Sequence, residues 1–214
     1  MKASSRTLRR SGSRSDLSAR VRRGLGSVLF VFAVSTHAAA EALRAGVFDP
    51  PRAAPDFALK GSDGSELKLS RYRGKVVALG FGYTHCPSVC PTTLAYLAEA
   101  RNKLAAAGSD FQVIYVTVDP ERDTAANLKA FLASFDPTFI GGTGTPGQLA
   151  QVRTAYGITL SDRIYVDTLP KSTYFLDHSS FVYLIDRAGA LRAMAPFGVS
   201  ADDIEHDVKV LLSR

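Results

Sequence analysis

The chain has 214 residues, of which 46% are hydrophobic and 21% are charged. This length and composition predict one globular domain with its own core and argue against a disordered protein. The net charge of +6 is concentrated at the start, because residues 1–40 hold eight Lys and Arg and one acid, whereas residues 41–214 hold 18 basic and 19 acidic residues. That balance lacks the basic surface on which nucleic-acid binding depends, so we expect no nucleic-acid partner.

Residues 1–40 have the pattern of an export signal. An Arg-rich stretch precedes the apolar run 25–34, and three alanines follow at 38–40. The apolar run is about ten residues long, whereas a helix that spans a bilayer needs about 20. We therefore predict an exported, periplasmic or otherwise extracytoplasmic protein that is cleaved near Ala40. The longer stretch 24–40 leaves an uncleaved membrane anchor as the alternative.

Residues 41–54 are rich in Ala, Pro and Arg and show no periodicity, which predicts a linker into a domain over 55–214. We expect residues 41–214 to fold as a soluble monomer. The domain begins with a predicted β-hairpin, whose strands at 57–59 and 67–69 flank a turn at 62–65.

Strands and helices alternate through the middle of the domain. The predicted elements are a buried strand at 76–81, a helix with Pro91 in its first turn that runs towards Gly108, a strand at 111–118, and a helix that starts at Asp123 or Thr124 and stops before Pro137. A Gly141-Gly142 loop follows, then a helix at 148–156 closed by Gly157, an irregular stretch through 171, strands at 181–185 and 190–194, and a final helix at 200–212 capped by Ser200. This order predicts an α/β thioredoxin-like sandwich, with a central mixed β-sheet flanked by helices and an N-terminal β-hairpin.

Cys86 and Cys90 are the two cysteines of the chain, which excludes a multi-bridge disulfide framework and a four-sulfur zinc site. They lie between a predicted strand and the start of a helix, where free backbone N–H groups and the helix dipole stabilise thiolates. Their spacing allows either a reversible, redox-active disulfide or a shared metal ion. Because it is one residue wider than C-x-x-C, we favour the metal; two inert buried cysteines are the alternative.

Thiolates are soft ligands that prefer Cu(I), and an added imidazole extends the affinity to Cu(II). A histidine from elsewhere in the chain is therefore expected at the site. His178, just before a predicted strand, is the candidate, and a loop histidine without a metal is the alternative. His85 adjoins Cys86, and we expect it in the surroundings of the metal or facing solvent, not among the ligands. We expect His206 to lie on the solvated face of the last helix.

Three segments resemble the signature segments of the Sco/SenC family of copper chaperones, in the same order and at similar separations: GYTHCPSVCPTTL at 82–94, VTVDPERDT at 116–124 and YFLDHSSFVYLID at 174–186. The resemblance extends over about residues 55–212. It implies a thioredoxin-like fold and one copper ion per chain, as Cu(I) or Cu(II), held by Cys86, Cys90 and His178.

The resemblance also implies a partner. Members of the family deliver copper to the dinuclear copper centre of cytochrome c oxidase or reduce its cysteines, so the expected partners are the copper-bearing subunit of that oxidase, other periplasmic copper chaperones and thioredoxin-like reductants. Asp119 matches an acidic position that influences copper and redox behaviour in the family, and a plain turn residue before Pro120 is the alternative. At Ser88 relatives often carry an acid, a difference that bears on partner docking.

An extracytoplasmic thiol-disulfide oxidoreductase without obligatory copper is the main alternative function, because Cys86 and Cys90 could pass electrons to a partner's disulfide. His178 discriminates the two, since dithiol exchange does not require it. A peroxidase of the peroxiredoxin kind would share the fold, but its attacking cysteine follows a threonine by three residues, whereas Thr84 precedes Cys86 by two. A copper sensor or structural binder would differ only in its partner.

Overall fold

The computed structural model describes residues 41–170 and 172–214, so the predicted export signal or anchor lies outside the described residues. The strands are β1 (Gly46–Ala53), β2 (Ala58–Gly61), β3 (Glu66–Lys68), β4 (Val76–Gly82), β5 (Phe111–Thr117), β6 (Ile140–Thr143), β7 (Ile164–Tyr165), β8 (Tyr174–Phe175), β9 (Val182–Ile185) and β10 (Ala190–Ala195). The α-helices are α1 (Val89–Lys103), α2 (Ala125–Ala133), α3 (Pro146–Tyr156) and α4 (Ala201–Leu212), with 3-10 helices at Leu69–Tyr72 and Ala105–Asp110.

One mixed sheet organises the molecule, with strand order β1-β10-β9-β4-β5-β6-β2-β3. The neighbours β4, β5 and β6 are parallel, and β9 runs antiparallel to β4. Every residue of β4, β5 and β9 is buried, which explains their almost continuous apolar sequences. The hairpin of β2 and β3 lies at one edge, beside β6. The predicted mixed sheet with an N-terminal hairpin is confirmed.

Three of the α-helices, α2, α3 and α4, begin at capping residues, and α3 also ends at a glycine. Thr124, Thr145 and Ser200 are N-caps whose side chains accept a backbone N–H three residues on, and Gly157 ends α3 with φ of 67°. In β4, Phe81 packs against Tyr156 of α3. The next residue, Gly82, faces Cys90 of α1. Consecutive residues of a strand point to opposite faces, so α1 and α3 cover opposite faces of the sheet.

The predicted linker at 41–54 is wrong for most of its length, because β1 pairs with β10 at the edge of the sheet. Seven of the eight β1 residues are exposed. The strand therefore lacks the alternation of apolar and polar residues by which a half-buried strand is recognised in a sequence. The predicted Gly141-Gly142 loop is also wrong, since both glycines belong to β6. A Cβ at Gly141 would lie 2.9 Å from Leu128 Cβ, so glycine there lets α2 pack closely on the sheet.

His206 corrects another expectation, because its side chain is 13% exposed and not solvated. Its Nε2 lies 3.0 Å from the carbonyl oxygen of Ala42. The adjacent Asp207 is buried and accepts the backbone N–H groups of Arg44 and Ala45 at 2.7 and 2.9 Å. The acids of α4 therefore bind the incoming segment before β1.

The strands β7 and β8 form a separate, short two-stranded sheet. The first of them lies in the stretch that was predicted to be irregular. None of the helices in the described part of the chain is both long and apolar enough to cross a membrane.

Candidate functional site

The two cysteines lie where β4 ends and α1 begins. The helix starts at Val89, two residues before Pro91, and so places Cys90 in its first turn. Cys90 is 3% exposed, whereas Cys86 in the preceding loop is only partly buried. Both cysteines are free. The backbone N–H of Cys90, in the first turn of the helix, donates to Cys86 Sγ at 3.5 Å. The predicted order of strand, cysteine-bearing loop and helix is confirmed.

The two thiols have opposite electrostatic environments. A hydrogen bond from the Cys90 side chain, helped by the backbone N–H groups of Cys90 and Ser88, lowers the pKa of Cys86 to about 5 although partial burial opposes the shift. The same hydrogen bond and deeper burial raise the pKa of Cys90, with the hydroxyl of Tyr115 acting in the opposite direction. At neutral pH these shifts make Cys86, the more accessible of the two, a thiolate and Cys90 a neutral thiol in the reduced protein.

This asymmetry predicts how the reduced protein reacts with iodoacetamide. A thiolate is the nucleophile, so alkylation of Cys86 should be fast at pH 6.5 and should change little up to pH 8, because its pKa of about 5 lies below that range. Cys90 should stay unlabelled until the protein unfolds. Peptide mapping after timed alkylation measures both rates, with Cys90→Ala as the variant that removes the hydrogen bond and slows Cys86. A Cys86 rate that still climbs through pH 8.5, as for an ordinary thiol, contradicts this assignment.

His178 reaches the cysteines from the loop before β9. Its backbone pairs with Leu160 in an isolated β-bridge, and its Nε2 lies 3.6 Å from Cys90 Sγ. The other ring nitrogen, Nδ1, lies 3.0 Å from the carbonyl oxygen of Ser179. Because a carbonyl only accepts, Nδ1 carries the proton in the neutral ring and Nε2 presents its lone pair to the sulfur, the arrangement that a metal-binding histidine needs.

Cys86, Cys90 and His178 therefore form one cluster, as the sequence predicts. Among residues 41–170 and 172–214, no three His, Cys, Asp or Glu side chains are close enough together to hold a metal ion, so these three residues would have to approach one another to hold one. Two sulfurs and an imidazole nitrogen form a donor set that suits copper in either oxidation state. The donor chemistry of Cys86, Cys90 and His178 therefore fits copper.

A buried carboxylate that the sequence analysis did not identify fixes the cysteine loop. Asp123 is fully buried and accepts the backbone N–H of Thr84 at 3.0 Å, the hydroxyl of Thr84 at 2.6 Å and the hydroxyl of Thr117 at 2.7 Å. Burial raises its pKa, and these hydrogen bonds oppose the rise. The carboxylate ties the loop, β5 and the start of α2 together two residues before Cys86.

We expect Asp123→Ala to lower the free energy of unfolding by about 3 kcal/mol or more, because it leaves buried donors of Thr84 and Thr117 unpaired at roughly 1–3 kcal/mol each. Urea unfolding of the reduced, metal-free protein measures the loss. Asp202→Ala is the matched control, since that carboxylate is 73% exposed and pairs only with a surface lysine. Equal stabilities of the two variants would show that Asp123 is not the anchor.

The residues predicted around the metal lie close to the cluster without joining it. His85 is half-exposed, with Nδ1 3.0 Å from Thr84 Oγ1 and 3.9 Å from Asp123 Oδ1. His85 therefore lies next to Asp123, the carboxylate that holds the cysteine loop in place. Since Thr84 donates its hydroxyl to Asp123, that hydroxyl is occupied in holding the loop.

Asp119 belongs to a second buried cluster. Its carboxylate accepts Arg122 Nε at 2.5 Å and the Tyr174 hydroxyl at 2.8 Å. The Arg122 guanidinium lies 3.6 Å from the ring centre of Tyr174 and 5.6 Å from that of Tyr83. The Tyr83 ring in turn packs edge-on against His178, with 6.0 Å between ring centres. The structure thus connects Asp119, through Arg122 and two aromatic contacts, to the cluster of Cys86, Cys90 and His178, and its influence on copper stays a prediction.

An open groove gives access to the cluster. It is bordered by the cysteine loop on one side and by the segment before β9 on the other: Tyr83, Cys86, Pro87, Ser88, Val89, Phe175, Leu176, Asp177, His178 and Ser180. Ser88 is exposed at its rim. Cys86 lines this groove, whereas Cys90 is not among its lining residues.

Comparison with known proteins supports the three-segment resemblance. The family model described as SCO1/SenC matches residues 48–213. An SCO2-like protein of Rickettsia conorii is 37% identical over 134 residues, which are 63% of this chain and 64% of that protein. The mitochondrial SCO2 homolog of Bos taurus is 35% identical over 159 residues, or 72% of this chain and 58% of that protein. The chain thus spans about three fifths of the length of these relatives.

Solved structures agree in fold. Copper-bound ScoI of Bradyrhizobium japonicum is 32% identical with a TM-score of 0.68, covering 75% of this chain and 99% of that one. Apo Sco1 of Thermus thermophilus is 30% identical with a TM-score of 0.70, covering 81% and 99%. Copper-bound yeast Sco1 is 30% identical with a TM-score of 0.63, covering 74% and 90%. The predicted thioredoxin-like fold is confirmed.

Proposed function

Since this chain belongs to the SCO1/SenC family, we propose that it is a metallochaperone that binds one copper ion through Cys86, Cys90 and His178. The strongest support is the 3.6 Å approach of His178 Nε2 to Cys90 Sγ. The fold brings together an imidazole and a thiol that are 88 positions apart in the chain, next to the second cysteine of the loop. Relatives with 32% and 30% identity have copper bound in their solved structures. When bound, the ion would be the cargo that the protein carries.

We propose that the destination is the dinuclear copper centre of cytochrome c oxidase, on the basis of the family resemblance. The protein would act outside the cytoplasm after export through residues 1–40. The groove beside Cys86 supports a direct docking mechanism, because the receiving cysteines could reach the copper along it. Asp177 is the one acidic residue among the described residues that line this groove. Because the lining carries so little charge, docking would depend mainly on shape and apolar contact.

Each residue of the cluster has a role in this proposal. The Cys86 thiolate offers the first sulfur to an incoming ion, because its pKa of about 5 keeps it deprotonated at neutral pH. Cys90 gives up its proton on binding, and its burial shields the second sulfur from solvent. Ser179 holds the His178 ring in the tautomer that leaves Nε2 free.

A thiol reductase acting on the same oxidase is the second candidate, and the opposite pKa shifts of the cysteines favour keeping it. The Cys86 thiolate would attack a partner disulfide, the Cys90 thiol would resolve the mixed disulfide, and both electrons would pass to the partner as this pair becomes oxidised. This function needs no copper, and its first step would use the sulfur that lines the groove.

A transfer experiment separates the two functions. The reduced protein loaded with Cu(I) is mixed with the copper-free soluble copper-bearing domain of the oxidase, once with the domain's cysteines reduced and once with them as a disulfide. We expect copper to move to the reduced domain. Thiol formation in the disulfide domain without any copper movement would instead establish the reductase. His206→Ala is the control and should behave as wild type, because that side chain packs on residues 41–45.

A further inference from the structure

Tyr115 lies beneath the cysteines in a slot that two glycines create. It is 2% exposed and lies in β5 opposite Gly80 in the parallel register. A Cβ at Gly80 would lie 3.4 Å from Tyr115 Cδ2, and a Cβ at Gly82 would lie 1.9 Å from the Tyr115 hydroxyl oxygen. Gly80 and Gly82 point to the same face of β4. A side chain at Gly82 would occupy the space of the Tyr115 hydroxyl, and one at Gly80 would press against the Tyr115 ring.

The slot directs the hydroxyl towards Cys90. The same Cβ position at Gly82 would lie 2.7 Å from Cys90 Sγ, so the sulfur and the Tyr115 hydroxyl flank one point. In the part of the chain that the structure describes, this buried hydroxyl makes no hydrogen bond of normal geometry. A buried hydroxyl without a partner is costly.

We propose that the Tyr115 hydroxyl donates a hydrogen bond to Cys90 Sγ when that sulfur becomes a copper-bound thiolate, and so favours Cu(I) over Cu(II). This inference rests on the proposed copper site. A neutral thiol is a weak acceptor, whereas a charged acceptor makes a stronger and shorter bond. The hydroxyl therefore has no good partner in the reduced, metal-free protein and gains one when copper replaces the Cys90 proton.

The expected direction of the effect follows from electron donation. A hydrogen bond draws electron density from the sulfur, which weakens its donation to Cu(II) more than to Cu(I), and hydrogen bonding around a cysteine sulfur is a known means of tuning copper potentials. Tyr115 would act through Cys90 as a positioning residue, because its hydroxyl faces the Cys90 sulfur and would not itself hold the ion.

Tyr115→Phe tests the proposal because it removes only the oxygen and keeps the ring in its slot. Tyr156→Phe is the matched control, since that hydroxyl donates to the carbonyl oxygen of Pro55 at 2.8 Å. We expect the thiolate-to-Cu(II) absorption band of Tyr115→Phe to move to lower energy and its Cu(I) affinity to fall about tenfold, the weight of one hydrogen bond to a charged group. The control should keep the wild-type band and affinity.

Thermal unfolding supplies a readout that a merely structural role would not reproduce. The metal-free, reduced Tyr115→Phe protein should melt at or above the wild-type temperature, because the lost hydroxyl was unpaired, and its increase in Tm on Cu(I) loading should be smaller than that of wild type. A wild-type band energy and Cu(I) affinity in Tyr115→Phe would overturn the proposal, as would a lower Tm without metal. If wild type itself shows no copper–thiolate band, the proposed copper site fails, and this inference fails with it.

Discussion

Replacement of either cysteine by serine is expected to reduce bound copper from one ion per chain to nearly none. Cys86 and Cys90 supply the two soft donors of the cluster, and a hydroxyl is a poor ligand for Cu(I). One thiolate with an imidazole would be too weak to hold the ion through desalting. Metal analysis of Cys86→Ser and Cys90→Ser after Cu(I) loading and gel filtration measures the loss, and circular dichroism checks that both variants are folded.

His206→Ala is the control for this experiment and should retain one copper per chain, because the side chain packs on the segment before β1. Full copper content in Cys86→Ser or Cys90→Ser would place the metal site elsewhere in the molecule.

His178→Ala is expected to lose Cu(II) binding together with its thiolate-to-copper absorption, while Cu(I) binding becomes weaker but stays detectable on the two sulfurs. The imidazole extends the affinity of a dithiolate site to Cu(II). His178 is the nitrogen donor of the cluster, and its Nε2 lies 3.6 Å from Cys90 Sγ. Titration with Cu(II), followed by absorption spectroscopy, measures the loss.

The same variant also separates the two candidate functions. The pKa of Cys86 depends first on the Cys90 side chain and only lastly on the charge of His178, so disulfide reduction by His178→Ala should change little. Intact copper binding with lost disulfide reduction in His178→Ala would mean that the histidine serves a redox dithiol, and the reductase would then be the better account.

Much of the central fold can be predicted because its signals are local. The strands β4 and β5 are buried on both faces and therefore appear as apolar runs. Side-chain caps such as Thr124 and Ser200 mark helix starts within a residue or two. The cysteine pair is equally local, since its spacing and its position before a helix are both visible in the sequence.

The features that the sequence did not predict depend on contacts between distant parts of the chain. The edge strand β1 is mostly exposed, so only its pairing with β10 reveals it. Asp123 resembles a helix-start residue, and its role depends on Thr84 of the cysteine loop, 39 residues earlier. Tyr115 resembles any buried strand residue, although two glycines separated by one position in β4 are a signal of close approach that could have indicated the slot.

In the proposed site, copper binds to two cysteine sulfurs and one histidine nitrogen of a single chain. X-ray absorption spectroscopy at the copper edge, on the full chain loaded with one equivalent of Cu(II), counts these donors directly. We predict a first shell with two sulfur atoms and one imidazole nitrogen, which loses the imidazole contribution in His178→Ala. A wild-type shell made only of nitrogen and oxygen would contradict the assignment of copper to Cys86, Cys90 and His178.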